Sequence, residues 1–212
     1  MREASGHERP KPNWVAATIE YPRPMSDHTT GTAAESGPAL KERAGVVNAL
    51  LDGAQTVLVR HPTLDPGTID ERFALYPAYS HQEPSRYRSR YEAYYHRSSA
   101  KPEAGVPIRA VADVREEYAV SSDDLEALAD HYVYTPDGLR DKYDPDGELR
   151  VLLLRVAELD SPALITERGS YRGCRAWIDL ADDAPIEPGA ATPVLDDATF
   201  AERRAAVRDA LE

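Results

Sequence analysis

A chain of 212 residues, 42% of them apolar and with a mean hydropathy of −0.55, is long enough for one domain with a buried core. No stretch approaches the roughly 20 apolar residues that span a bilayer, and the single cysteine, Cys174, excludes an internal disulfide. The net charge of −12 sets 37 acidic residues against 21 Arg and only 4 Lys; this is expected of a cytoplasmic protein adapted to high salt, whose hydrated carboxylates keep it dissolved under strong screening, the competing reading being an ordinary acidic bacterial protein from a GC-rich genome.

Residues 1–38 have the composition of a disordered extension. Pro10, Pro12, Pro22, Pro24 and Pro38 punctuate it, and its apolar surface is too small to offset the entropy of ordering. It has no apolar signal region, and Met25 is a second candidate start. A single globular domain is expected over 39–180. Leu40, Ala44, Val47 and Leu51 recur at helical spacing and predict a helix over 39–51, with Gly53 at the positive-φ position that closes it. Gln55–Arg60 predicts a buried strand, and Pro62 with Pro66-Gly67 its end. Phe73–Tyr79 predicts a second strand, with Pro77 marking an edge or a bulge.

Residues 83–105 read as a long polar loop with a helical turn. Ile108–Val120 predicts a strand or a bent strand pair. Ser121 or Ser122 then caps a short helix whose first turn holds Asp123 and Asp124. Thr135-Pro136 opens another helix over 136–143, and 144–147 is a turn. Leu149–Leu159 is the strongest strand signal, and Arg175–Leu180 the last. A proline-rich acidic connector covers 181–195. It is followed by a C-terminal helix with a capping box at Thr199-x-x-Glu202, packed on the domain through Phe200, Val207 and Leu211.

These segments carry motifs. Ala39-Leu40-Lys41-Glu42, Thr56–Arg60, Leu75-Tyr76-Pro77-x-Tyr79-x-His81-Gln82, His131 ahead of Tyr134-Thr135, and Gly173-Cys174-Arg175-x-Trp177-x-x-Leu180 together resemble the family known as domain of unknown function 1802, across about 39–180. Relatives often place a Lys-Gly-Gly turn after the first strand, where this chain has His61-Pro62-Thr63. The resemblance implies no activity. A weaker likeness, carried by Gly53-x-x-Thr56-Val57-x-x-Arg60, is to ASCH-type domains of the PUA-like superfamily, whose members commonly bind RNA or modified bases. It implies an α+β fold: a mainly antiparallel, barrel-type sheet with short flanking helices and a C-terminal helix.

The candidate site follows from residue chemistry. Between Tyr79 and Lys101, arginines alternate with tyrosines. Arg86, Arg88 and Tyr91 stand out there, because guanidinium groups neutralise phosphates and aromatic faces stack on unpaired bases. The competing reading is a solvated segment whose tyrosines pack on the core and whose arginines pair with acidic neighbours. A cleft lined by Arg60, Tyr76, His81, Gln82, His131 and Arg140 is expected behind this rim, with His81-Gln82 able to read a base edge or a ligand carbonyl. The competing role for both His81 and His131 is to satisfy backbone groups. The expected function is non-enzymatic binding of RNA or of modified or single-stranded nucleic acid, with no cofactor, metal or membrane. Two alternatives stay open. One is a metal-dependent nuclease or other hydrolase using His81, His131, Asp137 and Glu148; the other is a protein-interaction module. Cys174, beside Arg172 and Arg175, reads either as a thiolate nucleophile or as a small residue at a strand entry.

Overall fold

The computed structural model describes residues 37–64, 72–143, 148–180 and 190–212. The expected N-terminal extension up to residue 36, the Pro66-Gly67 and 144–147 turns, and the connector up to residue 189 lie outside the described residues. Seven strands form one sheet: β1 (Pro38–Arg43), β2 (Val57–Arg60), β3 (Phe73–Ala78), β4 (Val106–Ser121), β5 (Glu148–Ile165), β6 (Trp177–Asp179) and β7 (Ala191–Pro193). Four helices accompany them: α1 (Ala44–Leu51), α2 (Glu92–Arg97), α3 (Pro136–Tyr143) and α4 (Asp197–Leu211). The strand order is β2-β5-β4-β3-β1-β6, with β7 continuing the outer edge of β5 beyond β2. β1 and β3 run parallel and the other ladders are antiparallel. The fold is therefore α+β as expected, but the sheet is open among the described residues, with β2 and β6 as its ends.

The predicted first helix is two elements. Residues 38–43 pair with both β3 and β6, and the helix begins only after Arg43, whose extended backbone turns the chain. The apolar residues at 40, 44, 47 and 51 suit a helix, yet Leu40 is consumed by strand pairing, a long-range choice that local spacing does not carry. Once started, α1 is buried on nearly all sides, with seven of its eight residues inside. Gly53 closes it at φ 67°, as expected.

β3 is not an end strand of the sheet, but at Pro77 its β4-facing side is unpaired, a local edge. β3 lies between β4 and β1, but its ladder to β4 involves only Phe73 and Ala74, so Pro77 lies past the point where β4 requires a donor. β4 is one long strand with two register irregularities, between Ile108 and Ala110 and between Val114 and Glu116, where a strand or a bent pair was expected. Ser121 caps the following 3-10 helix in a capping box with Asp124. In α4 the cap is Asp196, not Thr199: the Asp196 carboxylate accepts from the Thr199 N–H at 2.8 Å, so the helix starts three residues early. β7, inside the proline-rich connector, had no strand signal of its own.

Successive strand residues serve two cores. Leu40 and Leu75 join a large cluster under α1 that also takes in Val207 of α4. Ala39, Ala74 and Tyr76 join a smaller one with Ile108, Tyr171 and Ile178. Both β1 and β3 run out at their C-terminal ends, and the site forms there.

Candidate functional site

A cleft of about 810 Å³ opens where β1 and β3 end, walled by α3 and by the loop from Glu167 to Ala176. Its charge is opposite to that of the chain. All three described lysines, Lys41, Lys101 and Lys142, line it. Four arginines join them: Arg43, Arg60, Arg172 and Arg175. Only two carboxylates, Glu42 and Glu167, stand against these seven basic groups. Tyr76, Tyr79, Tyr143 and Tyr171 supply aromatic wall.

One end of the cleft is a buried ionic cluster. Glu42 is held by Arg60 at 3.1 Å and by Lys142 at 3.2 Å, and its carboxylate also accepts the Arg43 backbone N–H at 2.7 Å. Burial alone would raise its pKa; the charges of Arg60 and then Lys142 overrule it and take the group down to about 2. Arg60 reaches further. It donates to the Lys41 carbonyl at 2.8 Å and to the Tyr143 hydroxyl at 3.4 Å, tying β2 to β1 and α3, and its Nε is buried without a partner among the described residues.

The other end is built on Lys41. Its ammonium donates to the carbonyls of Tyr171 (2.7 Å) and Gly173 (3.0 Å), and burial pulls its pKa below the usual lysine range. Tyr76 is its register partner on β3 and packs edge-on to Tyr171 at 6.0 Å. Tyr76 is 2% exposed, its hydroxyl has no hydrogen-bond partner among the described residues, and burial, with Glu167 second, pushes it up to about 12. It therefore remains a protonated donor at neutral pH. Glu167 bridges Lys101 (3.1 Å) and Arg172 (3.8 Å). Arg43 and Arg175 form no ion pair with any described residue. Cys174 is exposed on the wall.

Of the predicted site residues, the structure brings Arg60, Tyr76 and His81 to this cleft. His81 is exposed and takes the left-handed conformation, at φ 55°, rare for a residue with a side chain. Gln82 lies behind it as a strut: its carbonyl accepts from the Gly45 N–H at 3.0 Å and its amide donates to the Ser98 carbonyl at 2.6 Å. Arg86, Arg88, Tyr91, His131 and Arg140 do not line the cleft. Arg86 pairs with Glu83, Arg90 with Asp130 and Arg97 with Asp52. Arg88 donates to the Tyr134 carbonyl and lies over the Tyr132 ring, while Tyr91 packs half-buried on the core. Arg140 bonds Asp137 and the Ser122 carbonyl. His131 is buried, with burial lowering its pKa and Arg203 adding to the effect. Among the described residues no three His, Cys, Asp or Glu side chains group closely enough to hold a metal, so His81, His131, Asp137 and Glu148 do not converge.

Sequence reasoning missed Lys41, Arg43, Glu42, Lys142 and Glu167 as site residues. The available signal was scarcity: in a chain with four lysines, each position is a candidate for a role that arginine does not fill.

The chain belongs to the Domain of unknown function (DUF1802) family, whose model matches residues 39–206. No curated protein matches it. Among solved structures it is similar to ASCH from Zymomonas mobilis, the type of domain suggested by Gly53–Arg60. A serine-to-alanine variant of that protein shares 13% identity over 72% of this chain and 94% of its own, with a TM-score of 0.46. The unmutated ASCH protein shares 13% over 69% and 88%, with a TM-score of 0.43.

Proposed function

We propose that the protein binds single-stranded nucleic acid, RNA foremost, in the cleft at the ends of β1 and β3, and does so without catalysis. The observation that carries this reading is the charge of the cleft: seven basic groups against two acidic ones, between tyrosine walls, in a chain of net charge −12. Cations concentrated against the overall charge attract an anion. The tyrosines add stacking that every base can use. The acidic exterior keeps the chain dissolved in a saline cytoplasm and leaves the cleft as the face a polyanion approaches. In this reading the sheet works as a barrel closed by side chains, with Arg60 as the strap between β2 and β1.

The test is fluorescence anisotropy with a labelled single-stranded RNA at salt from roughly 50 to 200 mM. Arg43→Ala and Arg175→Ala each remove a cation that forms no ion pair among the described residues. Each is expected to weaken binding and to lower the slope of log affinity against log salt by about 0.7. Arg90→Ala removes an arginine already paired with Asp130 and leaves binding unchanged. No RNA binding, or equal loss from Arg90→Ala and Arg175→Ala, would overturn the assignment to the cleft.

A further inference from the structure

The nucleic-acid reading leaves open whether the cleft holds the middle of a strand or its end. A strand passing through needs cations beyond the cleft, because every phosphodiester along it carries charge. Beyond the cleft, four arginines of the neighbouring surface are already paired: Arg86 with Glu83, Arg90 with Asp130, Arg97 with Asp52 and Arg140 with Asp137. The cleft itself holds cations that no acid compensates. Arg43 and Arg175 have no acidic partner among the described residues, and Lys41 is held only by two carbonyls, which leaves its third N–H and its full charge available.

The deep end also offers donors without matching acceptors. Tyr76, the register partner of Lys41 on β3, also lines the cleft, and its buried hydroxyl has no hydrogen-bond partner among the described residues; an orphaned buried hydroxyl costs about 1–3 kcal/mol until an acceptor meets it. A group that is all acceptor and carries close to two charges satisfies both conditions at once. A terminal phosphate has about −1.5 to −2 at neutral pH, where an internal phosphodiester has one.

Resting on the nucleic-acid reading above, we infer that the Lys41–Tyr76 end of the cleft is a phosphomonoester site that takes the terminal phosphate of a nucleotide or of an RNA end. Lys41 and Tyr76 donate to the phosphate, Arg43 and Arg175 balance its second charge, and the tyrosine walls hold the attached nucleoside.

The experiment compares one short RNA in three forms, with hydroxyl ends, with a phosphate on its first nucleotide and with a phosphate on its last. Nucleoside monophosphates and inorganic phosphate serve as competitors. One phosphorylated form is expected to bind about tenfold tighter than the hydroxyl form. Tyr76→Phe, which removes only the orphaned hydroxyl and does not lower the fold's thermal midpoint, reduces that advantage, and Lys41→Ala abolishes it. Competition by a nucleoside monophosphate at the same concentration as the phosphorylated RNA identifies free nucleotides as the source of the group. Weak competition identifies RNA ends. Equal affinity for all three RNAs overturns the phosphomonoester site while the nucleic-acid reading stands. If no RNA binds but a monophosphate or inorganic phosphate does, the site stands and the nucleic-acid reading falls. Binding of none overturns both.

Discussion

Replacing Glu42 with glutamine keeps the shape of the side chain and removes the charge that Arg60 and Lys142 surround. The folded carboxyl sits at about 2 against an ordinary value of about 4.5, and that difference corresponds to about 3 kcal/mol of stability at neutral pH. Loss of the carboxylate also leaves two buried cations facing each other, so the variant is expected to lose about 3–5 kcal/mol near neutrality. The pH dependence gives the sharper test. A depressed carboxyl stabilises above its unfolded value and stops doing so as pH falls towards its folded value. Between about pH 6 and about pH 3, wild type should therefore lose about 2 kcal/mol relative to Glu42→Gln, because protonated Glu42 and Gln are nearly isosteric. Urea midpoints of both proteins across that range measure it. A gap that stays constant with pH would show that Glu42 is not held ionised by Arg60 and Lys142, and the description of the ionic cluster would fail.

Three further changes probe the frame around the cleft. Gly45→Ala drives a methyl into the Tyr87 hydroxyl oxygen and should cost about 1–3 kcal/mol in chemical denaturation, partly restored by adding Tyr87→Phe. Gln55 is buried; it accepts from the Val133 N–H at 3.0 Å and donates to the Val57 carbonyl at 2.7 Å. Gln55→Leu orphans both groups and should lower stability by about 2–4 kcal/mol, read from thermal and urea midpoints. Glu116 is buried on β4 and takes hydrogen bonds from Tyr118 and from Arg204 and Arg208 of α4. Glu116→Gln should weaken α4 docking by about 2 kcal/mol, seen as faster amide exchange in α4 with that of β4 and β5 unchanged.

The elements read correctly from sequence are those whose cause is local. Pro136 starts α3, Ser121 with Asp124 caps the helix after β4, and Gly53 closes α1. Misreadings arose where a distant partner decides. Ala39–Arg43 becomes a strand because β3 and β6 flank it, and β7 exists because β5 offers an edge beyond β2. The site divides the same way. Arg60, Tyr76 and His81 sit at strand ends that the pattern locates. Lys142 and Glu167 reach the cleft from a helix and a loop far along the chain, and only topology brings them there. The arginine–tyrosine segment was the opposite case. Its composition suggests a binding rim, but the acids that neutralise it, Asp52 and Asp130, come from other elements.

The distribution of charge follows from how each cation is satisfied. On the exterior, arginine dominates, and its fork pairs with nearby acids in contacts worth little individually. In the cleft, Lys41 is anchored through backbone carbonyls, so its charge is positioned without being cancelled. Glu42 neutralises one of its two neighbours, leaving the Glu42–Arg60–Lys142 cluster with a net positive charge that burial screens poorly. High salt weakens every exposed pair on this surface while leaving that buried excess largely intact. The buried part of the cleft's positive charge therefore persists where salt screens the exposed pairs.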